Sequence, residues 1–128
     1  MQQLAPVMPE GSAVVLTTSV VNNMRYPMIG VYSATKAALR SMARSLAREL
    51  LPRGIRVNAV SPGPIDTSIL ERTLGTAAEQ VKAQMREENP MKRLGRADEV
   101  AGAVLFLAFD ATYTTGAELA VDGGGSQL

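Results

Sequence analysis

The chain has 128 residues, 46% of them apolar and 20% charged, and its 13 basic and 12 acidic side chains leave a net charge of +1. That length suits one domain with its own core, and the interspersed charges leave no basic block for nucleic acid or an anionic membrane surface. The absence of cysteine excludes disulfides and cysteine-based zinc sites, and the absence of histidine leaves acid–base chemistry to Tyr, Lys or carboxylates.

The opening residues Met1-Gln2-Gln3-Leu4-Ala5-Pro6 carry no charged n-region and no long apolar run, which argues against a signal peptide. No stretch approaches the length of a membrane span, and a reducing cytoplasm is the expected setting. Ala13 to Thr18 follows the turn Pro9-Glu10-Gly11 and reads as a first strand. Tyr32 to Leu50 holds no Gly or Pro and reads as a helix stopped by Pro52 and Gly54. Leu39, Met42, Leu46 and Leu50 follow helical spacing, while Ala34, Ala37, Ala38, Ala43 and Ala47 spread small residues over other faces. Such a helix is expected to pack on two sides, on the sheet and on a neighbouring helix that a second subunit can supply.

Ile55 to Val60, between Pro52-Arg53-Gly54 and Pro62-Gly63-Pro64, reads as a second strand. Thr67 to Arg93 reads as a helical excursion whose clearest helix is Ala77 to Glu88, ended by Pro90. A further helix is expected from Ala97 to Phe109, with Asp98 and Glu99 at its positive end and Val100, Val104 and Leu107 as its apolar stripe. Glu118 to Val121 reads as a third strand between Gly116 and Gly123. This order predicts an α/β domain over residues 1–128, with about three parallel strands and right-handed crossovers. Ligands of such open sheets bind beyond the carboxyl ends of the strands, here Thr18-Ser19, Ser61-Pro62-Gly63 and Val121-Asp122.

Tyr32 and Lys36 stand at i and i+4 at the start of a helix, so their side chains share a face. An ammonium beside a phenol favours the phenolate and tunes the Tyr for proton transfer near neutral pH. Ser19, at the end of the preceding strand, offers a hydroxyl to a carbonyl or alcohol oxygen. These three residues make a proton-transfer site without histidine or metal. Taken by itself, the pair fits equally a Tyr that packs its ring beside a Lys that reaches to solvent.

Together these segments resemble the short-chain dehydrogenase/reductase family over nearly the whole chain. Tyr32-Ser33-Ala34-Thr35-Lys36 is similar to its Tyr-x-x-x-Lys motif, and Ser61-Pro62-Gly63-Pro64-Ile65-Asp66-Thr67 to its Pro-Gly-x-x-x-Thr element. Leu50 to Asn58, Arg93 to Ala101 and Thr115 to Gly124 resemble the approach to the next strand and the C-terminal region of the family. The resemblance implies the C-terminal, catalytic part of a doubly wound Rossmann-type parallel sheet. It implies an enzyme that interconverts a carbonyl and a secondary alcohol with NAD or NADP. Tyr32 would be the general acid/base and a cofactor contact, Lys36 would lower its pKa and hold the nicotinamide ribose, and Ser19 would orient the substrate oxygen. Pro62 and Gly63 would line the nicotinamide, the Ile65 backbone and Thr67 would hold its carboxamide, and residues 66–93 would cover the substrate.

Other readings stand beside these. Pro62-Gly63-Pro64 also reads as a strand-ending turn, and Thr67 as a helix N-cap. Val21, Tyr26 and Met28 either line a substrate pocket or pack locally. Asn58 and Asp122 read as structural, and Gly123-Gly124-Gly125 is followed by no helix, so it is not a phosphate loop. The family's glycine-rich strand–helix turn and its Asn-Asn-Ala-Gly element do not occur in the sequence; Asn22-Asn23 is followed by Met24-Arg25. By resemblance, four strands and most of four helices fall outside these residues. The isolated chain is therefore expected to be inactive, to hold only the nicotinamide end of the cofactor, and to expose Ala13–Thr18 as an open edge. Self-association is expected through the 32–50 helix or the 97–121 region. The alternative function is a non-catalytic association module derived from such an enzyme.

Overall fold

The computed structural model describes residues 3–24 and 26–128, so the leader reading at Met1-Gln2 lies outside the described residues. Three parallel strands form one sheet in the order β1 (Ala13–Thr17), β2 (Arg56–Pro62), β3 (Glu118–Val121). Val14 pairs with Val57, and Val60 with Leu119. The connections are α1 (Gly30–Leu50) between β1 and β2, then α2 (Ile69–Leu74), α3 (Ala78–Glu88) and α4 (Ala97–Leu105) between β2 and β3. Parallel pairing needs such crossovers, and they cover the sheet on both faces.

Alternation along the strands divides the core in two. Val57 and Ala59 of β2 face α1, where Ala43, Ala47, Leu50 and Ile55 complete a buried cluster. Val60 faces the other way, onto Leu107 and Ala111, with Val15 and Leu119 beside it. From Val57 to Ser61 every residue of β2 is buried, Asn58 included. The Asn58 amide donates to Thr114 O at 2.9 Å and accepts from Ala117 N at 3.0 Å, which ties β2 to the loop entering β3.

Several boundaries differ from those the sequence suggests. β1 ends at Thr17, and the Thr18 N–H and hydroxyl both donate to Val60 O as the chain leaves the ladder. β2 runs on to Pro62 because Ser61 and Pro62 still pair with Ala120 and Val121. α1 starts at Gly30, so Tyr32 lies within its first turn. After it, Gly54 turns the chain with φ +68°, in the left-handed region that favours glycine. The buried stripe of α1 is Ala43, Ala47 and Leu50, whereas Met42 is exposed. Alanines at the closest approach let the helix axis sit near the sheet, and the longer Met is displaced outward. Ala34, Ala37 and Ala38 are also exposed, so α1 has one packed side within this chain.

A continuous α-helix from Ala97 to Phe109 is the clearest departure. The α-helix ends at Leu105, and Phe106–Asp110 form a π turn closed by Ala111 N donating to Phe106 O at 2.8 Å. The cause is Arg56 at the start of β2. Its guanidinium donates to Leu107 O (2.8 Å), Ala108 O (2.7 Å) and Ala111 O (3.0 Å). Those carbonyls lie at a helix C-terminus, which lacks internal partners and favours positive charge. At the other end of α4, Glu99 accepts from the Arg96 N–H at 2.7 Å and bridges both guanidinium nitrogens of Arg93 at 2.7 and 2.9 Å. These bonds hold the Glu99 carboxyl down at about 2.

Two expectations follow for stability. Arg56→Met keeps the aliphatic stem but leaves three carbonyls without their donor. It should lower the unfolding free energy by about 1.5–3 kcal/mol, read as a lower urea midpoint at unchanged m-value. For Glu99 the folded pKa lies below the unfolded one, so its stabilising contribution is complete above about pH 4.5 and fades as pH falls toward 2. Urea unfolding of Glu99→Gln should therefore show a deficit against the natural chain at pH 7 that closes by about pH 2–3.

Candidate active site

The carboxyl ends of the three strands meet at one rim, and a cavity of 610 Å³ opens there. Ser19 stands just past β1 and caps the short 3₁₀ turn Val20–Asn22, where its Oγ accepts from Val21 N at 3.5 Å. It is nearly buried, and it lines the cavity together with Tyr32 from the first turn of α1. Tyr32 is half exposed. Lys36, one helical turn on, holds its Nζ 5.7 Å from the centre of the Tyr32 ring and donates from it to Thr17 O at 3.1 Å. Lys36 thus stands beside the Tyr ring, anchored to the end of β1, and does not line the cavity itself.

Thr18 and Asn22, on either side of Ser19, are held from behind. The Thr18 hydroxyl and the Asn22 amide donate to Glu118 Oε1 at 2.9 and 2.5 Å, and Arg40 of α1 pairs with Glu118 Oε2 at 2.5 Å. This cluster joins the segment after β1 to α1 and β3 beneath the turn that carries Ser19.

From β2 the chain passes along the cavity flank as Gly63, Pro64 and Ile65. A side chain on Gly63 would lie 2.7 Å from Asp122 Cβ and 2.8 Å from its Cα, so only glycine permits this close passage of β2 past the end of β3. Pro62 is the last residue of β2 and does not line the cavity; Thr67 is exposed and does not line it either. The Ile65 N–H donates to no described residue, although Pro64 O and Asp66 N on either side both bond to Gly95. A free donor beside an open flank fits the amide group of a nicotinamide. Val21 and Tyr26 line the cavity, whereas Met28 does not and is fully exposed with φ +65°.

The excursion 66–93 roofs the cavity with α2 and α3, and Ile69, Leu70, Val81 and Met85 supply apolar lining that the sequence pattern did not single out. Their signal was present in part, since Val81 and Met85 stand at i and i+4 on α3. Lys82 of α3 is buried, and its Nζ lies 2.6 Å from Asp66 Oδ1 and 2.5 Å from Glu71 Oε1. These hydrogen bonds, Asp66 first, raise the Lys82 pKa, and Lys82 in turn lowers both carboxyls. Asn89 ends the roof: buried, it donates to Asp122 O at 2.7 Å and accepts from Met91 N at 2.9 Å. Burial pushes the Asp122 carboxyl up, but hydrogen bonds from Ser126 and Gly124 outweigh it and hold it low. Gly123 and Gly124 serve this C-terminal turn and precede no helix.

Comparison with known proteins agrees with this architecture. Residues 1–126 match the family model described as enoyl-(acyl carrier protein) reductase. Oxidoreductase asL5 of Sarocladium schorii is 39% identical over 99% of this chain and 51% of its own length. A short-chain dehydrogenase family protein of Francisella tularensis superposes with a TM-score of 0.89 at 28% identity, over 99% of this chain and 56% of that one. A 3-oxoacyl-[acyl-carrier protein] reductase of Brucella melitensis, solved with bound NAD, gives 0.77 at 35% identity, over 91% and 41%. The chain belongs to the short-chain dehydrogenase/reductase family of oxidoreductases. It spans about half the length of the curated relatives it matches. No helix among the described residues is long and apolar enough to cross a membrane.

The Lys82 clasp makes a testable claim about the roof. Lys82→Met retains the buried stem and removes the charge that holds α3 to Asp66 and to α2. Limited proteolysis should then cut residues 66–80 several-fold faster, with cleavage elsewhere little changed; Lys82→Arg should stay close to the natural chain.

Proposed function

We propose that this chain carries the proton-transfer site of an NAD- or NADP-dependent oxidoreductase that interconverts a carbonyl and a secondary alcohol. The observation that carries this reading is the convergence of Ser19 and Tyr32 on one cavity at the strand ends, with the Lys36 ammonium beside the Tyr ring. A nicotinamide dinucleotide, when bound, supplies or accepts the hydride.

In the reducing direction the Ser19 hydroxyl donates to the substrate carbonyl oxygen and fixes its position. The Tyr32 hydroxyl transfers its proton to that oxygen as the carbonyl carbon becomes tetrahedral. The Lys36 charge stabilises the negative charge that then develops on the phenol oxygen. In the oxidising direction the same groups take the alcohol proton. Lys36 would also hold the nicotinamide ribose, Gly63 would flank the ring and the Ile65 N–H would hold the carboxamide; Pro62 and Thr67 adjoin this flank in the chain without lining the cavity and would contribute there as its neighbours. α2 and α3 would exclude water above the reacting centre.

The sequence contains no glycine-rich strand–helix turn, so these residues serve the nicotinamide end alone, and the 128 residues by themselves are proposed to be inactive. We place the reaction in the cytoplasm, a setting to which a chain without cysteines is indifferent in redox terms. A second reading, a non-catalytic association module, is favoured by apolar surface left open on two elements. Val31 of α1 is exposed, and so are Phe106, Phe109 and Tyr113 after α4. In either reading we propose self-association through the 32–50 helix or the 97–121 region.

The discriminating measurement is turnover by the protein that carries this chain. Tyr32→Phe should reduce kcat by about 10²–10⁴-fold while NADH binding, followed by fluorescence, stays within a few-fold. Near-normal turnover would exclude Tyr32 as the acid/base, and no turnover in the natural protein with either nucleotide would favour the association module.

A further inference from the structure

The lining of the cavity speaks to what it admits. Gly63, Pro64 and Ile65 take the flank proposed for the nicotinamide, which leaves the α2–α3 side for the substrate. There Ile69, Leu70, Val81 and Met85 supply apolar wall, to which Met24 adds. Ile69 is 57% exposed and Tyr26 44%, so apolar surface stands uncovered at the mouth. Val81, Gln84, Met85 and Glu88 stand at i, i+3, i+4 and i+7, and this single face of α3 lines the cavity.

The polar half of that face is specific in sign. Gln84 Nε2 donates one of its two N–H groups to Glu88 Oε1 at 2.8 Å, and Gln84 Oε1 and Glu88 Oε2 stand beside it as acceptors. Glu88 and Asp122 are the charged groups lining the cavity among the described residues, and both are acidic. Asp122 is consumed by Gly124 N, Ser126 N and Ser126 Oγ. The cations of the excursion are committed elsewhere: Arg72 to Ser68, Lys82 to Asp66 and Glu71, Arg86 to Glu79, Lys92 to Glu87 and Arg93 to Glu99. An anionic group entering on the α3 side would lose water, meet a carboxylate and find no cation among the described residues that line the cavity.

We propose that the cavity selects a neutral, hydrophobic ketone or secondary alcohol whose far end donates a hydrogen bond, and that Glu88, oriented by Gln84, turns away substrates that end in an anion. Only the identity of the reacting group rests on the function proposed above; the discrimination at α3 is a binding property that requires no hydride transfer.

Methionine-methyl NMR of the full chain tests it, because Met24 and Met85 line the cavity while Met8 and Met42 do not. Three probes share one body: 4-phenylcyclohexanone, its para-hydroxyphenyl analogue and its para-carboxyphenyl analogue. The first two should shift Met24 and Met85 and leave Met8 and Met42 in place, with the phenol binding at least as tightly as the parent. The carboxylate should bind at least tenfold more weakly, and Glu88→Lys should erase or reverse that gap. Glu88 lies on the exposed surface, so this change leaves the core intact. Equal or tighter binding of the carboxylate by the natural chain, an unchanged ratio in Glu88→Lys, or shifts absent from Met24 and Met85 would overturn the proposal. Loss of the Tyr32 effect on turnover would instead overturn the reaction and leave this selectivity standing.

Discussion

β2 is covered on both faces and bonded on both edges, and the rest of the molecule is arranged by that constraint. Its neighbours run parallel to it, so the exits of all three strands come to the same rim. Ser19, Gly63 and Asp122, far apart in sequence, become neighbours there because each follows a strand end. Such burial is affordable only if each polar group within it is satisfied, and the two-way hydrogen bonding of Asn58 meets that condition at the centre of the sheet. Gly63 meets the corresponding steric condition, since any larger residue would push β2 away from Asp122 just where the cavity begins.

Around that rim the molecule uses charge where its core is thin. Aromatic residues are few, and alanines carry the contact of α1 with the sheet. Glu118 anchors the segment around Ser19, Arg56 secures the turn that follows α4, and Lys82 ties α3 to α2 and to Asp66 within the roof. Each of these groups serves several partners at once, so one ordered side chain restrains more than one element and the entropy of ordering it is shared. For a short-chain oxidoreductase the consequence is a rim set firmly by the sheet, beneath a roof held by a few bonds. That division suits the proton-transfer geometry proposed above, set on a fixed rim under a covering segment.

The parts of this arrangement that were legible in the sequence are those with a local cause. β-branched runs between Gly and Pro gave three strands to within a residue or two, and the spacing of Tyr32 and Lys36 correctly put both on one side of α1. The π turn at Phe106–Asp110 was not legible, because its cause is a guanidinium about fifty positions earlier. Met42 fits the apolar spacing of α1 as well as Ala43 does; which of them faces the sheet depends on how closely the helix is drawn to β2. No local pattern marks Lys82, which is buried between the carboxylates of Asp66 and of Glu71 on α2. Met28 seemed as suited to the cavity as Tyr26, but its positive φ turns it to solvent.

The amino-acid sequence by itself determined the α/β class, the strands, the family and the chemical identity of the groups at the strand ends. These follow from periodicity, turn residues and side-chain type, which act over a few positions. The tertiary structure alone decided which face of α1 is buried, which face of α3 looks into the cavity, and that the cations of the excursion turn away from it. Those outcomes depend on where a side chain points once distant segments compete for the same space and the same partners, and no local pattern encodes that competition.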